Sequence, residues 1–233
     1  MESEFKLHGL QKLTLLDYPG HVAATLFLGG CDFCCPFCHN FELVNGSVPP
    51  IMGEEELFSF LNKRVGVLDA VTITGGEPCL NRNLERVIDK IRDLGYKVKL
   101  DTNGNHPDVL EKLISSGKLD YVAMDIKNSP EKYARTIGLT DFDLSAVKKS
   151  VEILKKCNID YEFRTTVIKE LHEKSDILEI GEWIKGAKAY YLQQFVQRDT
   201  VPDQSFTSPT REDMDVFLEI ISPFVQRAEI RGL

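Results

Sequence analysis

Four of the chain's six cysteines lie within eight positions, in the stretch GGCDFCCPFCHN of residues 29–40. In a reducing compartment, clustered cysteines are more often metal ligands or catalytic thiols than disulfides. Two registers fit the spacing. One uses Cys31, Cys35 and Cys38 and leaves Cys34 over, whereas the other pairs Cys31 with Cys34 and Cys35 with Cys38. The loop therefore predicts a metal centre with three or four thiolate ligands.

The four-cysteine register would make a zinc site. Zinc knuckles usually separate their two cysteine pairs by a long segment, so that the ligands approach the ion from opposite sides of a tetrahedron. Here Cys34 and Cys35 are neighbours, which disfavours that geometry. Three thiolates on one loop suit a cubane iron–sulfur cluster, in which each cysteine binds a different iron and the fourth iron stays open. We expect this second arrangement, with Cys34 as a bystander thiol.

The elements that must position this loop repeat as strand, loop and amphipathic helix. Short apolar or β-branched runs predict strands at 23–28, 70–74, 97–102, 121–126, 160–168 and 190–195. Helices with one apolar face follow them, one with Ser145 as its expected cap and the last opened by a capping box at Thr210 and Asp213. Strands separated by single helices run parallel. The predicted fold is therefore α/β, a partial (β/α)6 barrel with an open parallel sheet and outer helices.

We expect one domain over 1–233, with a core at about 17–196 and extensions at 1–16 and 197–233, because barrels of this length commonly fold as one unit. The first extension is predicted to add a strand or hairpin, and the tail EIRGL a terminal strand. The net charge of −8 argues against nucleic acid as a partner, since phosphate binding needs a surplus of Lys and Arg. No membrane span and no secretion signal are expected, which favours a cytoplasmic protein.

Polar segments follow all six predicted strands. The cysteine loop follows the first, GGEP (75–78) the second, DTNG (101–104) the third and DIK (125–127) the fourth. Arg164 and the pair Gln193 and Gln194 lie near the ends of the last two strands. Active sites of parallel barrels are built at the carboxyl ends of the strands. The six segments are therefore predicted to converge on one pocket.

The spacing Cys-x-x-x-Cys-x-Phe-Cys after the first strand, with Gly-Gly-Glu-Pro after the second, resembles the radical SAM superfamily over residues 17–195. The resemblance implies a [4Fe–4S] cluster held by Cys31, Cys35 and Cys38. Its open iron would chelate the amino and carboxylate groups of S-adenosyl-L-methionine, which an electron from the cluster then cleaves to give a 5′-deoxyadenosyl radical. In such enzymes the cofactors carry the chemistry and the protein positions them.

DYPG (17–20), CPFCHN (35–40), DTNG and MDIK (124–127) are further similar to glycyl-radical-enzyme activases, most closely those of anaerobic ribonucleoside-triphosphate reductase. This implies an oxidoreductase that takes a hydrogen atom from a backbone glycine of a partner, expected to be the anaerobic ribonucleotide reductase large subunit. An electron donor such as flavodoxin or ferredoxin is also expected. The open alternatives are an activase of pyruvate formate-lyase type, a small-molecule radical SAM enzyme such as a deazaguanine synthase, and a non-enzymatic metal module.

The resemblance also implies cofactor contacts near the cluster. An aromatic side chain packs against the adenine, the backbone beside it lines the cofactor, two glycines allow close backbone approach, and a carboxylate accepts a hydrogen bond from the methionyl ammonium. These residues are Phe37, Cys38, His39, Gly75, Gly76 and Glu77. Cys79 is expected to be a packing residue.

Carboxylates and cations complete the expected site. Asp101 and Asp125 would hold a monovalent cation beside the cofactor carboxylate, and Asn103 and Lys127 would be donors in the pocket. Arg164 is costly to bury without a partner and is expected to make a bidentate contact with a carboxylate. A surface position is expected for His172.

Overall fold

The computed structural model of the chain describes residues 5–232. In that range ten β-strands are present: β1 Lys6–Leu7, β2 Gly9–Thr14, β3 Ala23–Leu28, β4 Met52–Gly53, β5 Ala70–Gly75, β6 Lys97–Thr102, β7 Tyr121–Asp125, β8 Asp160–Val167, β9 Tyr190–Gln194 and β10 Ala228–Arg231. The same residues form eight α-helices: α1 Phe41–Val44, α2 Glu54–Asn62, α3 Leu84–Asp93, α4 Pro107–Ser115, α5 Tyr133–Thr136, α6 Ser145–Lys156, α7 Lys174–Trp183 and α8 Arg211–Ile221. The fold is α/β with a mostly parallel sheet, as predicted.

Within residues 5–232 the chain divides into two compact units. The first comprises 5–32, 42–102 and 106–122, and the second comprises 33–41, 103–105 and 123–232. The prediction of a single domain over 1–233 stays a prediction.

In the first unit the strands are ordered β2-β3-β5-β6, and the order continues onto the first residues of β7. The β3–β5 and β5–β6 pairs are parallel, with Ala23 opposite Ala70 and Ala70 opposite Lys97. Strand β2 runs antiparallel to β3, with an irregular register between Gln11 and Thr14. Side chains of β3 and β5 are buried on both faces, as expected for parallel strands covered by helices.

In the second unit the order runs from the last residues of β7 through β8 and β9 to β10. The β8–β9 and β9–β10 pairs are parallel. The Arg231 guanidinium donates to both carboxylate oxygens of the buried Glu162, at 2.7 and 2.8 Å, and so ties β10 to β8.

All six predicted strands are confirmed as β3, β5, β6, β7, β8 and β9. The predicted N-terminal strand is present as β1 and β2, and the predicted terminal strand as β10, although Leu233 of the EIRGL tail lies outside the described residues. Thr210 and Asp213 form the predicted capping box of α8. The prediction that Ser145 caps α6 is wrong. Ser145 is the first residue of that helix, after Leu144, and its hydroxyl donates to Asp143 at 2.7 Å.

No helix formed by residues 5–232 combines the length and the apolar character needed to cross a lipid bilayer.

Candidate functional site

The start of the cysteine loop and the GGEP segment approach each other closely in the first unit. The backbone N–H of Gly76 donates to the Leu28 carbonyl at 2.8 Å, and that of Glu77 donates to the Gly30 carbonyl at 2.7 Å. A Cβ on Gly76 would lie 1.9 Å from the Gly30 oxygen, and Gly75 has a φ of +119°. Both positions therefore require glycine, because the backbone of β5 turns directly against the end of β3.

Glu77 is buried beside this turn, with 1% of its surface exposed. Its Oε1 accepts hydrogen bonds from the Cys79 backbone N–H and from the Thr102 hydroxyl, both at 2.9 Å. Burial, and then the Glu77 charge, raise the pKa of the Cys79 thiol well above its usual range. Cys79 is thus a buried neutral thiol, in agreement with the expected packing role. Thr102 lies in DTNG, but nothing in that motif predicts that its hydroxyl orients Glu77.

Two further pairs of the first unit were not predicted from the sequence. The Lys99 ammonium, with 2% of the side chain exposed, pairs with Asp101 and lies 5.9 Å from the Tyr121 ring centroid. The alternation of β6 places Lys99 and Asp101 on one face of the strand. Next to the cluster loop, His106 Nε2 lies 3.0 Å from the Asp32 carboxylate, and Cys31 Sγ lies 3.9 Å from the other Asp32 oxygen.

The remaining cysteines of the loop belong to the second unit. Cys38 N–H donates to the Cys35 carbonyl at 3.1 Å, which makes a tight turn between two of the predicted ligands. Cys34 N–H donates to the Ile137 carbonyl at 3.0 Å, and a Cβ on Gly138 would lie 2.3 Å from the Cys34 oxygen. Cys35 is buried and Cys34 is exposed. The turn after α5 therefore supports the loop.

Burial raises the pKa of Cys38, and a hydrogen bond with the Asn40 backbone and the charge of Lys127 partly offset that effect. Phe37 is buried. The His39 ring stacks on Phe195 with their centroids 5.3 Å apart, and its Nε2 lies 2.7 Å from the Val196 carbonyl oxygen. His39 is therefore fixed against the residues that follow β9.

Asp125 stands between two cations at the carboxyl end of β7. Lys127 Nζ donates to its Oδ2 at 2.9 Å, and Arg164 Nε from β8 donates to its Oδ1 at 2.9 Å. Burial alone would raise the pKa of Asp125, but Arg164 and Lys127 hold it well below its usual range. Arg164 contacts a carboxylate, as expected from the sequence, and the partner is Asp125, which it reaches from Nε to Oδ1. That this contact is bidentate stays a prediction.

The prediction that His172 is a surface residue is wrong. The side chain is 4% exposed, its Nε2 lies 2.9 Å from the Lys127 carbonyl oxygen, and its Nδ1 accepts from the Ile168 backbone N–H at 3.1 Å. Burial lowers the pKa of His172. A histidine within a polar stretch gives no sequence signal of burial. Here the ring is buried between the turn that follows β8, at Ile168, and the backbone of Lys127.

DTNG continues into the second unit at Asn103 and Gly104. Asn103 is buried, and its Oδ1 accepts from the Asn105 backbone N–H at 2.9 Å. Gly104 has a φ of +79°, and a Cβ there would lie 2.1 Å from the Met124 side chain. The glycine is therefore needed for both backbone conformation and space.

A cavity of about 240 Å³ opens at the ends of β8, β9 and β10 in the second unit. Its polar lining includes His39, Thr166, Gln193, Gln194, Arg198 and Arg231. Gln193 and Gln194 thus lie at a strand end beside a cavity.

Each unit brings together part of the predicted set. The first holds Cys31, Gly75, Gly76, Glu77 and Asp101, and the second holds Cys35, Phe37, Cys38, His39, Asn103, Asp125, Lys127 and Arg164. The convergence of all six segments on one pocket stays a prediction.

The chemistry of the donor set fits an iron–sulfur cluster. All six cysteines are free thiols, and the three of the preferred register lie on one loop. Among residues 5–232, no group of three or more His, Cys, Asp or Glu side chains is gathered closely enough for one metal ion. In a cubane each cysteine binds a different iron, so its ligands surround a cluster and not a single ion.

Comparison with known proteins defines the class. Residues 25–184 match the Radical SAM superfamily, and the chain belongs to this superfamily. It is therefore an enzyme, and the superfamily implies a [4Fe–4S] cluster and S-adenosyl-L-methionine.

The relatives narrow the class further. The chain is 31% identical over 232 residues to a candidate glycyl-radical enzyme activating enzyme of Methanocaldococcus jannaschii, covering 97% of this chain and 95% of that protein. A domain of pyruvate-formate lyase-activating enzyme from Bacteroides vulgatus has a similar fold, with a TM-score of 0.57 at 17% identity over 70% of this chain and 99% of that one. Streptococcus suis SuiB bound to S-adenosylmethionine gives a TM-score of 0.67 at 12% identity, over 89% of this chain and 52% of that one.

Proposed function

We propose that this radical SAM enzyme is an activase that generates a glycyl radical on a larger partner enzyme, the anaerobic ribonucleotide reductase large subunit. The observation that carries the proposal is the similarity to a candidate glycyl-radical enzyme activating enzyme, which extends over nearly the whole of both chains. DYPG, CPFCHN, DTNG and MDIK support it, because they resemble the motifs of such activases. When bound, the cluster would supply the electron that cleaves S-adenosyl-L-methionine reductively.

Cys31, Cys35 and Cys38 are the proposed cluster ligands, and Cys34 is the proposed bystander. The exposed position of Cys34 and the burial of Cys35 support this division. The test compares Cys35→Ala with Cys34→Ala after anaerobic reconstitution with iron and sulfide. Cys34→Ala should keep the iron and sulfide content of the wild type, whereas Cys35→Ala should lose the intact cluster. The reverse result, or tetrahedral zinc in the purified protein, would contradict the ligand set.

The charged residues are proposed to receive the two ends of the methionyl group. Lys127 and Arg164 provide positive charge for the carboxylate, and Glu77 accepts a hydrogen bond from the ammonium. The contacts of Glu77 with Cys79 and Thr102 fix its position before the cofactor binds. A site whose polar groups are already oriented loses less entropy on binding.

The remaining residues are proposed to enclose the rest of the cofactor. Phe37 packs against the adenine, the backbone of Phe37, Cys38 and His39 lines the cofactor, and Asn103 donates a hydrogen bond. Gly75 and Gly76 let the cofactor approach the backbone closely. The stacking of His39 on Phe195 supports a fixed wall there.

A monovalent cation near Asp101 and Asp125 forms the last part of the proposed site. Each carboxylate already contacts a cationic side chain, Lys99 for Asp101 and both Lys127 and Arg164 for Asp125. A bound cation would therefore share these oxygens. Titration of S-adenosyl-L-methionine binding in sodium, potassium and tetramethylammonium salts at equal ionic strength tests this part. Equal affinity in all three salts would contradict it.

The partner is tested by reacting the reconstituted enzyme anaerobically with reduced flavodoxin or ferredoxin, S-adenosyl-L-methionine and a candidate partner. The anaerobic ribonucleotide reductase large subunit should give a glycyl radical signal in electron paramagnetic resonance, with 5′-deoxyadenosine as coproduct. Pyruvate formate-lyase is the matched comparison. A signal only with pyruvate formate-lyase would correct the partner, and 5′-deoxyadenosine formation without a protein radical on either would favour a small-molecule substrate.

A further inference from the structure

The segment that follows β9 forms a loop whose two ends lie close together. Gln194 Nε2, at its start, donates to the Pro209 carbonyl at 2.9 Å. Near its end, Thr207 donates to the Glu170 carboxylate, in the turn after β8, through both its backbone N–H at 3.0 Å and its hydroxyl at 2.5 Å. Adjoining ends and this length are typical of an Ω-loop, a type of loop that often has a function. We call residues 195–209 the clasp loop.

The tip of the clasp loop is held in shape by one side chain, that of Gln204. Its Nε2 donates to the carbonyls of Arg198 and Val201, at 3.2 and 2.6 Å, and its Oε1 accepts from Gln197 Nε2 at 2.8 Å. Val201 is buried beneath the tip, with 2% of its surface exposed. The tip is therefore a defined structure and not an open excursion of the chain.

This tip binds the cysteine loop on both sides of Cys38. The Asp203 backbone N–H donates to the Pro36 carbonyl at 3.0 Å, and the Thr200 hydroxyl donates to the His39 carbonyl at 3.2 Å. The contacts of the His39 ring with the first residues of the clasp loop, described above, add to these bonds. The segment that carries the third predicted ligand is thus attached to the clasp loop at both of its ends.

The clasp loop is also the main support of this segment. Across residues 5–232, every hydrogen bond that residues 36–39 make beyond residues 31–44 goes to residues 196–203. The other end of the cysteine loop has a separate support, because Cys34 is bonded to the turn after α5. Opening of the clasp loop would therefore release the Cys38 end and leave the Cys34 end in place.

We propose that the clasp loop retains the iron–sulfur cluster, and that Thr200 and Gln204 are positioning residues for the segment that carries Cys38. The inference rests on the proposed ligand set. Loss of a cluster requires its cysteine ligands to separate from their irons, and a segment fixed on both sides of Cys38 opposes that separation. Local opening of a folded protein has a free energy set by the contacts that it breaks. Each contact removed from the clasp loop should therefore increase the rate of cluster loss.

The test measures how fast the reconstituted enzyme loses iron to excess bathophenanthroline disulfonate under anaerobic conditions. Thr200→Val removes the hydroxyl at nearly constant shape and should lose iron about threefold faster than the wild type, the effect of one hydrogen bond. Gln204→Ala removes three contacts within the tip and should lose iron about tenfold faster. Thr200→Ser keeps the hydroxyl and should restore the wild-type rate. The wild-type rate in both Thr200→Val and Gln204→Ala would overturn the proposal.

Thr207→Val is the matched control. It removes a threonine hydroxyl from the base of the same loop, where the Thr207 backbone N–H still donates to Glu170. It should lose iron at the wild-type rate. In the cluster-free proteins, Thr207→Val and Thr200→Val should lower the urea concentration of unfolding by similar amounts, because each loses one exposed hydrogen bond. If Thr207→Val loses iron as fast as Thr200→Val, the contacts act only through overall stability and the proposal fails.

Hydrogen–deuterium exchange provides a reciprocal test. If the closed clasp loop stabilises the bound cluster, the bound cluster must stabilise the closed clasp loop by the same factor. Amide exchange in residues 196–206 should therefore slow when the wild-type protein is loaded with its cluster, whereas exchange in α8, the reference segment, should stay the same. No slowing in residues 196–206, or equal slowing in both segments, would overturn the proposal.

Cys38→Ala separates this inference from the proposed function. If that variant keeps the intact cluster after reconstitution, both the ligand set and the role of the clasp loop are wrong. If it loses the cluster while Thr200→Val and Gln204→Ala lose iron at the wild-type rate, only the role of the clasp loop is wrong.

Discussion

The Asp101 centre of the first unit and the Asp125 centre of the second unit are built from the same parts in different numbers. Each has a carboxylate at the end of a parallel strand and a lysine two positions away, Lys99 before Asp101 and Lys127 after Asp125. Asp125 also contacts Arg164 from β8. The ion pair between Lys99 and Asp101 has no net charge, whereas the group formed by Asp125, Lys127 and Arg164 has a net charge of +1.

The side chains of the Asp125 centre are also more exposed than those of the Asp101 centre. The side chains of Lys99 and Asp101 are 2% and 15% exposed, whereas those of Lys127 and Asp125 are 16% and 27% exposed. A closed, neutral pair is what a structural contact requires, because buried charge without a counter-charge is costly. An accessible centre with excess positive charge is suited to bind an anion. The difference supports the use of Lys127 and Arg164, and not Lys99, for the carboxylate of S-adenosyl-L-methionine.

The largest predicted effect is that of Asp125→Asn on stability. The change removes the carboxylate that both Lys127 and Arg164 contact, so that two neighbouring cations lose their counter-charge. Although this centre is more accessible than the Asp101 pair, loss of the shared partner of two mostly buried cations costs about 3 kcal/mol. We expect the free energy of unfolding in urea at pH 7 to fall by about that amount in the cluster-free protein. A loss of less than about 1 kcal/mol, the usual value of a surface ion pair, would show that the centre is effectively solvated.

Asp101→Asn should cost about 2 kcal/mol, because the hydrogen bond from the buried Lys99 ammonium loses its charged partner. Adding Lys99→Met removes that ammonium, so the double variant should return to within about 1 kcal/mol of the wild type. The matched pair, Asp125→Asn with Lys127→Met, should recover less because Arg164 remains. The same urea titrations measure how much of the lost free energy of unfolding each second substitution restores. Equal restoration at both centres would contradict the predicted difference between the closed Asp101 pair and the more accessible Asp125 centre.

The third prediction concerns cofactor affinity. Lys127→Met should weaken binding of S-adenosyl-L-methionine to the cluster-loaded enzyme about tenfold, or about 1.4 kcal/mol, since it removes one charge from the positive centre. Lys99→Met is the matched control and should leave the affinity within about twofold, because Lys99 belongs to the neutral pair. Equilibrium dialysis with labelled cofactor measures both. If Lys99→Met loses more affinity for S-adenosyl-L-methionine than Lys127→Met, the cofactor carboxylate binds at the Asp101 centre, and its assignment to the Asp125 centre is wrong.

The sequence predicted the fold well because its signals are local. Six short apolar runs became the strands β3, β5, β6, β7, β8 and β9, and parallel pairing follows from the single helices between them. The error at Ser145 is also local in origin. A serine before an apolar helix resembles a cap, but here Asp143 takes its hydroxyl and the helix begins one position earlier than a Ser145 cap would require.

The site was predicted less completely, because many of its contacts join distant segments. Motifs such as GGEP and DIK show where polar residues follow strands. Nothing in the spacing shows that Thr102 orients Glu77, or that the turn after α5 supports the cysteine loop. Tyr133 lies in a charged stretch that is typical of a solvent-facing helix. Only the packing of Phe33 and Phe142 shows that its ring is buried.

The smallest predicted effect concerns His172, which contacts the Asp125 centre through the Lys127 carbonyl. Its Nδ1 accepts the Ile168 N–H, so the ring proton belongs on Nε2, where it donates to the Lys127 carbonyl. The neutral ring satisfies both contacts, and burial lowers the pKa of His172, with the nearby charges of Asp176 and Lys132 acting in opposite directions.

Because the folded state holds the pKa of His172 below the unfolded value of about 6.5, the unfolded chain binds more protons below that pH. The stabilisation is complete above about pH 6.5 and decreases as the pH falls, by at most about 1.4 kcal/mol per pH unit. His172→Gln keeps a donor for the Lys127 carbonyl but cannot titrate, so its unfolding free energy should change less between pH 7 and pH 5 than that of the wild type. Urea titrations of the cluster-free proteins at pH 5, 6 and 7 measure the difference. If the unfolding free energies of the two proteins change equally with pH, His172 gains protons equally in the folded and unfolded chains. That result would contradict the prediction that folding holds its ring neutral.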